Sequence, residues 1–261
     1  MSVTPETFQN LQAPLTGVVL VVLVDYLRQH QGWGWMRLIA GASAFRQVPG
    51  LRFVKVMGSG QGGGFSLRPS PSHQGLICNF ASWSEAAQFL QSPLVKSACE
   101  RAREWWYGIF AVQSARGEWD QQAWAVTDPG LMGAPGVPAA HPQMLGVLTR
   151  ASIRPAKAVA FWRHAPAAQS ELTHADGCNL SMGLGEAPLL RQCTFSLWRD
   201  TECMTRYAHH NAHQTAIQAA YRHQFFNESL FVRMQLLFMR GTWTGQAFEY
   251  GAALEPEPAH D

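Results

Sequence analysis

Charge is scarce in this chain: Asp, Glu, Lys and Arg make up 15% of its 261 residues, against roughly 25% in an average soluble domain. So thin a polar coat implies a surface that is unusually buried or that faces apolar partners. Lys and Arg number 20 against 18 Asp and Glu, a net charge of +2 with no basic block. A nucleic-acid partner is therefore not expected. The five cysteines, Cys78, Cys99, Cys178, Cys193 and Cys203, are odd in number and form no CxxC pair. That fits a reducing compartment and small apolar thiols rather than a disulfide framework. No apolar run approaches the roughly 20 residues of a spanning helix; the longest, Val18 to Val24, reads as a buried strand. No charged start, apolar stretch and cleavage site open the chain, so no secretory signal is expected. The expectation is a protein that is soluble or sits on a membrane surface.

Several catalytic signatures are missing too. There is no GxSxG elbow and no HExxH, because position 210 is His where Glu would be needed. Carboxylate pairs in apolar surroundings are scarce, which argues against glycosidase-type chemistry. Gly58, Gly60 and Gly63 satisfy G-x-G-x-x-G after a strand. A dinucleotide site would need a helix to open directly behind them, and Phe65-Ser66-Leu67-Arg68-Pro69-Ser70-Pro71 cannot be that helix. No GK[ST] follows, so a P-loop is excluded as well. These glycines read as a strand-end loop that allows close backbone approach.

What the chain does have is aromatic residues, ten Trp and 14 Phe, and an internal repeat. The aromatic load fits a well-filled core or a pocket for a long apolar ligand. Val56-Met57-Gly58-Ser59-Gly60-Gln61 matches Ser181-Met182-Gly183-Leu184-Gly185-Glu186. An apolar run ending in Trp83 matches one ending in Trp198, and Ser114-Ala115-Arg116-Gly117-Glu118-Trp119 matches Phe238-Met239-Arg240-Gly241-Thr242-Trp243. The offsets, 182 − 57 = 125, 198 − 83 = 115 and 243 − 119 = 124, keep one order with small length changes. A diverged duplication leaves that trace.

Each half reads as strand, helix, strand, strand, helix, strand. In the first, strands are expected over Gly17 to Leu27, Leu51 to Met57, Gly75 to Trp83 and Gly108 to Gln113. Trp33 to Phe45 is a short helical stretch, and a second helix follows Ser84 as N-cap. In the second half, strands are expected to begin near Ala156, Cys178, Gln192 and Phe231, with a helix from about Asp200 to His223. Four Pro and three Gly between Asp128 and Pro142 mark a linker. The expected division is a first unit over 1–127, a linker over 128–147, a second unit over 148–251 and a disordered tail over 252–261. A lone βαββαβ unit leaves one sheet face bare, so two must bury those faces on each other. The fold class is α+β: tandem ferredoxin-like units packed as a pseudo-dimeric α/β barrel.

His209, His210 and His213 sit on the second helix of the second half. His209 and His213, four apart, could share a metal on one helical face, although no further ligands are identifiable. His213 is followed by Ile217, Ala220 and Tyr221 at +4, +7 and +8, which puts it on the stripe facing the sheet. A buried imidazole without a partner costs about 1–3 kcal/mol. A backbone hydrogen bond in the core and a haem iron are both open by spacing. Aligning Trp83 with Trp198 sets Ala98 at the place of His213, so only one half can supply such a ligand.

Further stretches are Lys55-Val56-Met57-Gly58-Ser59-Gly60-Gln61 with Gly64-Phe65, Leu148-Thr149-Arg150-Ala151-Ser152-Ile153 and Gly183-Leu184-Gly185-Glu186-Ala187-Pro188. With them stand Thr194-Phe195-Ser196-Leu197-Trp198, His213-Gln214-Thr215-Ala216-Ile217, Phe226-Asn227-Glu228-Ser229-Leu230-Phe231 and Arg240-Gly241-Thr242-Trp243. Over roughly residues 16–120 and 145–245 the chain resembles the spheroidene monooxygenases, carotenoid ketolases of purple photosynthetic bacteria. The resemblance implies a haem b protein that uses O₂ and electrons from a donor such as a ferredoxin. It would oxidise an acyclic carotenoid such as spheroidene, next to its methoxy end group, to a ketone. The wider superfamily of dimeric α/β barrels includes several members with a ligand histidine on the second helix of the unit.

The resemblance thus implies His213 as iron ligand, with a register shift to His209 or His210 as the alternative. Gly58, Gly60, Arg191, Ile217 and Tyr221 are the implied haem neighbours, and Gln61, Arg68 and Glu186 the implied distal or propionate contacts. A cytoplasmic location follows, with peripheral contact to the inner membrane as a variant of it. A haem-dependent dehydratase and a non-catalytic haem-binding protein on the same fold are the rival readings. Oligomeric state is open.

Overall fold

The strand Val18–Tyr26 (β1) is nine residues long and buried throughout. A strand covered on both faces needs a continuous apolar run rather than an alternating one. Here Val19, Val21 and Leu23 face one core, and Val18, Leu20, Val22 and Val24 another. The structure is a computed structural model that describes residues 13–64, 66, 68–187, 190–209 and 224–252, the side chains of 164–170 excepted.

The first unit continues through helix α1 (Gln31–Ala40), strands β2 (Leu51–Gly60) and β3 (Pro69–Phe80), helices α2 (Trp83–Gln91) and α3 (Pro93–Glu100), and strand β4 (Ala102–Trp119). The N-cap of α2 is Ser82 rather than Ser84, its hydroxyl accepting from the Glu85 N–H. Strand β3 accordingly ends before Trp83, which opens the helix. Pro93, lacking an N–H and pushing Ser92 into extended backbone, divides the expected second helix in two. A short strand β5 (Gln122–Ala123) and a single helical turn α4 (Pro129–Met132) lead across.

The second unit has strand β6 (Leu145–Ile153), helix α5 (Ala158–Thr173), strands β7 (Cys178–Ala187) and β8 (Arg191–Trp198), helix α6 (Thr201–Ala208) and strands β9 (Phe226–Trp243) and β10 (Gln246–Tyr250). Its first strand therefore precedes Ala156, which lies in a 3-10 turn begun by Pro155. Of the expected helix to His223, the described part is α6, and 210–223 lie outside the described residues, as does the tail from 253. Strands β4 and β9 run 18 residues each, well beyond Gly108–Gln113 and starting before Phe231.

Eight antiparallel strands close on themselves in the order β9-β6-β8-β7-β2-β3-β1-β4 and back to β9, with β10 and β5 paired outside the ring on β9 and β4. One junction between the units is long, β4 with β9 from Trp106↔Gly241 to Gly117↔Leu230. The other is the single pair Gly58↔Gly185 of β2 and β7. The interior is filled from both halves by Met57, Trp106, Phe110, Phe195, Met234 and their neighbours. Part of the aromatic load goes into this packed interior.

The repeated Arg-Gly-x-Trp has a structural cause. Gly117 (φ 92°) and Gly241 (φ 129°) lie at the two ends of the β4–β9 ladder, and a Cβ there would meet Ser229 O at 2.0 Å and Trp105 O at 2.2 Å. Trp119 and Trp243 then enter the interior at opposite ends. The turns behind them have left-handed backbone at Asp120 and Gln121, and at Thr244 and Gly245. Glu228 accepts from the Asp120 and Gln121 N–H groups at 3.1 and 2.7 Å. Glu104 accepts from those of Thr244 and Gly245 at 3.0 and 2.7 Å.

Candidate functional site

The outer faces of the two half-sheets differ. In the first unit Val18, Leu20, Val22 and Val24 of β1 and Leu76, Cys78 and Phe80 of β3 pack against Trp83, Ala86, Phe89, Leu90, Val95 and Ala98 of α2 and α3. The cleft left beside Val22, Val24, Val56, Leu76, Val95 and Ala98 holds about 20 Å³, room for one water. Strand pairing sets Val18 opposite Phe80 and Leu145 opposite Trp198. In this register Val22 is replaced by Thr149, Val24 by Ala151, Leu76 by Thr194 and Cys78 by Ser196. The repeated motif likewise replaces Val56 by Ser181. All five outward positions lose apolar bulk, and the described apolar cluster there is small: Leu145, Val147, Leu172, Trp198, Cys203 and Met204.

The same register corrects the alignment of the second helices. Phe80 with Trp198 and the N-caps Ser82 with Asp200 both give 118 (198 − 80 and 200 − 82), which carries position 213 onto Val95 rather than Ala98. Both residues are buried in the first-unit cleft, at 2% and 1% exposure, and neither can ligate a metal. His213, His210, Ile217 and Tyr221 lie outside the described residues; His209 is the C-cap of α6, donating its N–H to Thr205 O.

The glycine-rich segment lies on the thin junction between units. Gly58 pairs with Gly185, and Ser59 donates its hydroxyl to Gly183 O at 2.5 Å. Gly60 ends β2 where a Cβ would meet Gly64 O at 2.3 Å. No helix follows: Gln61–Gly63 is a 3-10 turn beside β7, and β3 begins at Pro69. Gln61 and Arg68 are exposed and joined through the Gln61 N–H to Arg68 O, 2.8 Å.

Glu186 and Arg191 stand apart from that turn, in an ion-pair network at one barrel end. Arg150, 1% exposed, pairs closely with Glu228 and lies 3.6 Å from Glu186 and 3.4 Å from Asp120. Lys55 pairs with Asp120 and, at 3.2 Å, with Glu186. Arg191 reaches Glu186 at 3.6 Å, and the Trp119 indole N–H donates to Glu186 Oε1 at 2.7 Å. Three cations thus face three carboxylates. Burial pushes the Asp120 carboxyl up, but Lys55, Arg150 and Arg191 outweigh it and hold it below its ordinary value. Both Glu186 oxygens are engaged. The sequence assigns no role to Lys55, Arg150, Asp120 or Glu228; the available signal was a single cation, Arg150, inside the strand Leu145–Ile153.

The opposite end is built around Asp25, 2% exposed and paired closely with Arg103. His73 Nδ1 lies 3.7 Å from Asp25 Oδ1 and 2.9 Å from Ser70 Oγ, with its ring edge-on to Trp243. Ser70 and Asp25 both address Nδ1, so this is not a nucleophile relay, which needs opposite ring nitrogens.

A ring of eight strands made by two βαββαβ units, with one outer face filled and the other lined by small residues, defines an α/β barrel of fused ferredoxin-like units. Two solved structures share this fold. One is an aldoxime dehydratase (TM-score 0.56, 11% identity, 90% of this chain and 89% of that one). The other is an aldoxime dehydratase in complex with butyraldoxime (TM-score 0.56, 10% identity, 85% and 80%). No family model matches the chain. Among curated proteins it is 41% identical to the spheroidene monooxygenase of Rubrivivax gelatinosus, over 88% of this chain and 86% of that protein. It is 30% identical to the spheroidene monooxygenase of Rhodobacter capsulatus, over 87% and 92%. The chain belongs to the spheroidene monooxygenase family, and it is an oxidoreductase. Among the described residues no helix is long and apolar enough to cross a membrane.

Proposed function

We propose that this enzyme is a haem-dependent monooxygenase that introduces a keto group into an acyclic carotenoid such as spheroidene, using O₂ and reduced ferredoxin, with His213 as iron ligand. The observation that carries the reading is the extended identity to a relative named for that activity. The contrast between the outer faces supports it. Thr149, Ala151, Ser181, Thr194 and Ser196 leave a shallow floor where the first unit is packed to within one water, so a flat macrocycle has one side on which to lie. The donor set fits, since a single neutral imidazole suffices as proximal ligand.

When bound, the haem supplies O₂ activation. The chain's own contribution is placement. His213 would hold the iron, with Ile217 and Tyr221 as its neighbours. Gly58 and Gly60 would admit close approach along the junction of the units, and Gln61 and Arg68 would offer polar contacts to propionates, while Arg191 is engaged with Glu186 and Asp120. Leu145, Val147 and Trp198, buried in one apolar cluster, would exclude water at its edge.

The test is spectroscopic. The purified full-length chain reconstituted with haem b should show a Soret band and one haem per chain. His213→Ala should lose it while its circular dichroism is unchanged, and His209→Ala should keep it. Undiminished haem binding in His213→Ala would defeat the assignment. The fold shared with aldoxime dehydratases favours one second reading, a dehydration. Product formation from the carotenoid that persists without O₂ would select it.

A further inference from the structure

We propose that the exposed face of α1 docks this enzyme on an anionic lipid bilayer. The helix is QGWGWMRLIA, and its inner face is settled by contacts. Gly34 is buried against Tyr26, Leu38 Cδ1 would lie 3.7 Å from a Cβ on Gly58, and Trp33 packs edge-on to Tyr26 between Arg37 and Arg101. The outer face carries Trp35, Met36 and Ile39, which are 43%, 64% and 76% exposed, with Leu27 just ahead at 37%. Three large apolar side chains at i, i+1 and i+4 form one stripe. Leaving such a stripe in water is unfavourable.

Charge identifies the occupant. From Tyr26 to Ser84 the chain contains no Asp or Glu. The same stretch exposes Arg28, Arg46 and Arg52. A protruding Trp-Met-Ile stripe on a helix whose own segment, residues 28–46, carries Arg28, Arg37 and Arg46 and no Asp or Glu is the pattern of an interfacial helix on acidic headgroups. A second copy is disfavoured, because a two-fold contact would bring like arginines together. Through Leu38 and Gly58 the helix sits on the junction with β7. The inference stands on α1 alone and does not rest on haem.

Flotation of the full-length protein with phosphatidylcholine vesicles, with and without phosphatidylglycerol, tests it. Binding is expected only to the anionic vesicles and should weaken with salt. Trp35→Ser/Met36→Ser/Ile39→Ser should lower it by at least about tenfold, and Arg28→Gln/Arg46→Gln should reduce its salt dependence. The altered positions are exposed, so circular dichroism should not change. Absence of wild-type binding, or equal binding by the triple variant, overturns the proposal. So does a wild-type dimer that the triple variant dissolves, or loss of ferredoxin capture in the triple variant with vesicle binding intact.

Discussion

The indole N–H of Trp119, from the first unit, donates to Glu186 of the second at 2.7 Å, inside a network where Lys55 and Arg150 also meet that carboxylate. Removing Glu186 takes the acceptor from the Trp119 indole N–H and one carboxylate from Lys55 and Arg150, which keep Asp120 and Glu228. Glu186→Ala should therefore cost about 1–3 kcal/mol in urea denaturation. Glu186→Gln, which keeps an acceptor for Trp119, should cost less. An unchanged unfolding midpoint combined with lost activity would show instead that Glu186 serves the chemistry.

The glycines of the repeated motif make a second prediction. Gly117→Ala and Gly241→Ala each impose a side chain at positive φ and against a carbonyl oxygen within 2.2 Å. Each should lose at least about 1–3 kcal/mol from backbone strain. Gly32→Ala is the contrast: a Cβ there meets nothing within 4 Å, and helix propensity should stabilise the protein by up to about 1 kcal/mol. Thermal melts of the three variants rank them. A neutral Gly241→Ala would mean that β4 and β9 can part without cost.

Those motifs were legible in the sequence because a local requirement, a glycine at the end of a strand ladder followed by an inward Trp, occurs in both copies. Strand β1 was legible because burial on both faces leaves an uninterrupted β-branched run. Strand β6 was not: Gly146 and Arg150 interrupt Leu145–Ile153, and the reason Arg150 is tolerated, Glu228, lies 78 residues away. The ion network has the same cause of invisibility, since its members come from five separate segments. Ser82 and Ser84 both precede a helix pattern, and only the backbone shows which hydroxyl faces the Glu85 N–H. The outer-face contrast needed the strand register, because Thr149 and Val22 are comparable only once pairing is known.

Thiol chemistry gives a third prediction. Burial drives the Cys78 and Cys193 thiols far above their ordinary range and lifts Cys99 to about 12 and Cys178 to about 11. The thiolate is the reactive form. At pH 8 even Cys178 would be roughly one part in a thousand thiolate. Native protein should thus react with Ellman's reagent far more slowly than a free thiol at all four positions, and denatured protein should release all five equivalents. Rapid native labelling of Cys99 or Cys178 would contradict their burial.

The last prediction concerns acid. Burial holds the His73 imidazole below its usual value near 6.5; Arg103 lowers it further, and Asp25 and Glu104 only partly oppose this. In the folded protein the ring stays neutral while the unfolded chain already binds its proton. As pH falls through about 6.5, the unfolded state takes up more protons than the folded one, so stability drops. The contribution is fully present above that pH and fades below it. His73→Gln keeps a polar side chain beside Ser70 but cannot titrate. Between pH 8 and pH 5.5 the wild type should lose more melting temperature than this variant, with the two curves closest at the acid end if His73→Gln starts lower. Parallel curves at both pH values would show that the ring takes up its proton without cost; the nearest carboxylate oxygen is Asp25 Oδ1, which accepts no hydrogen bond among the described residues.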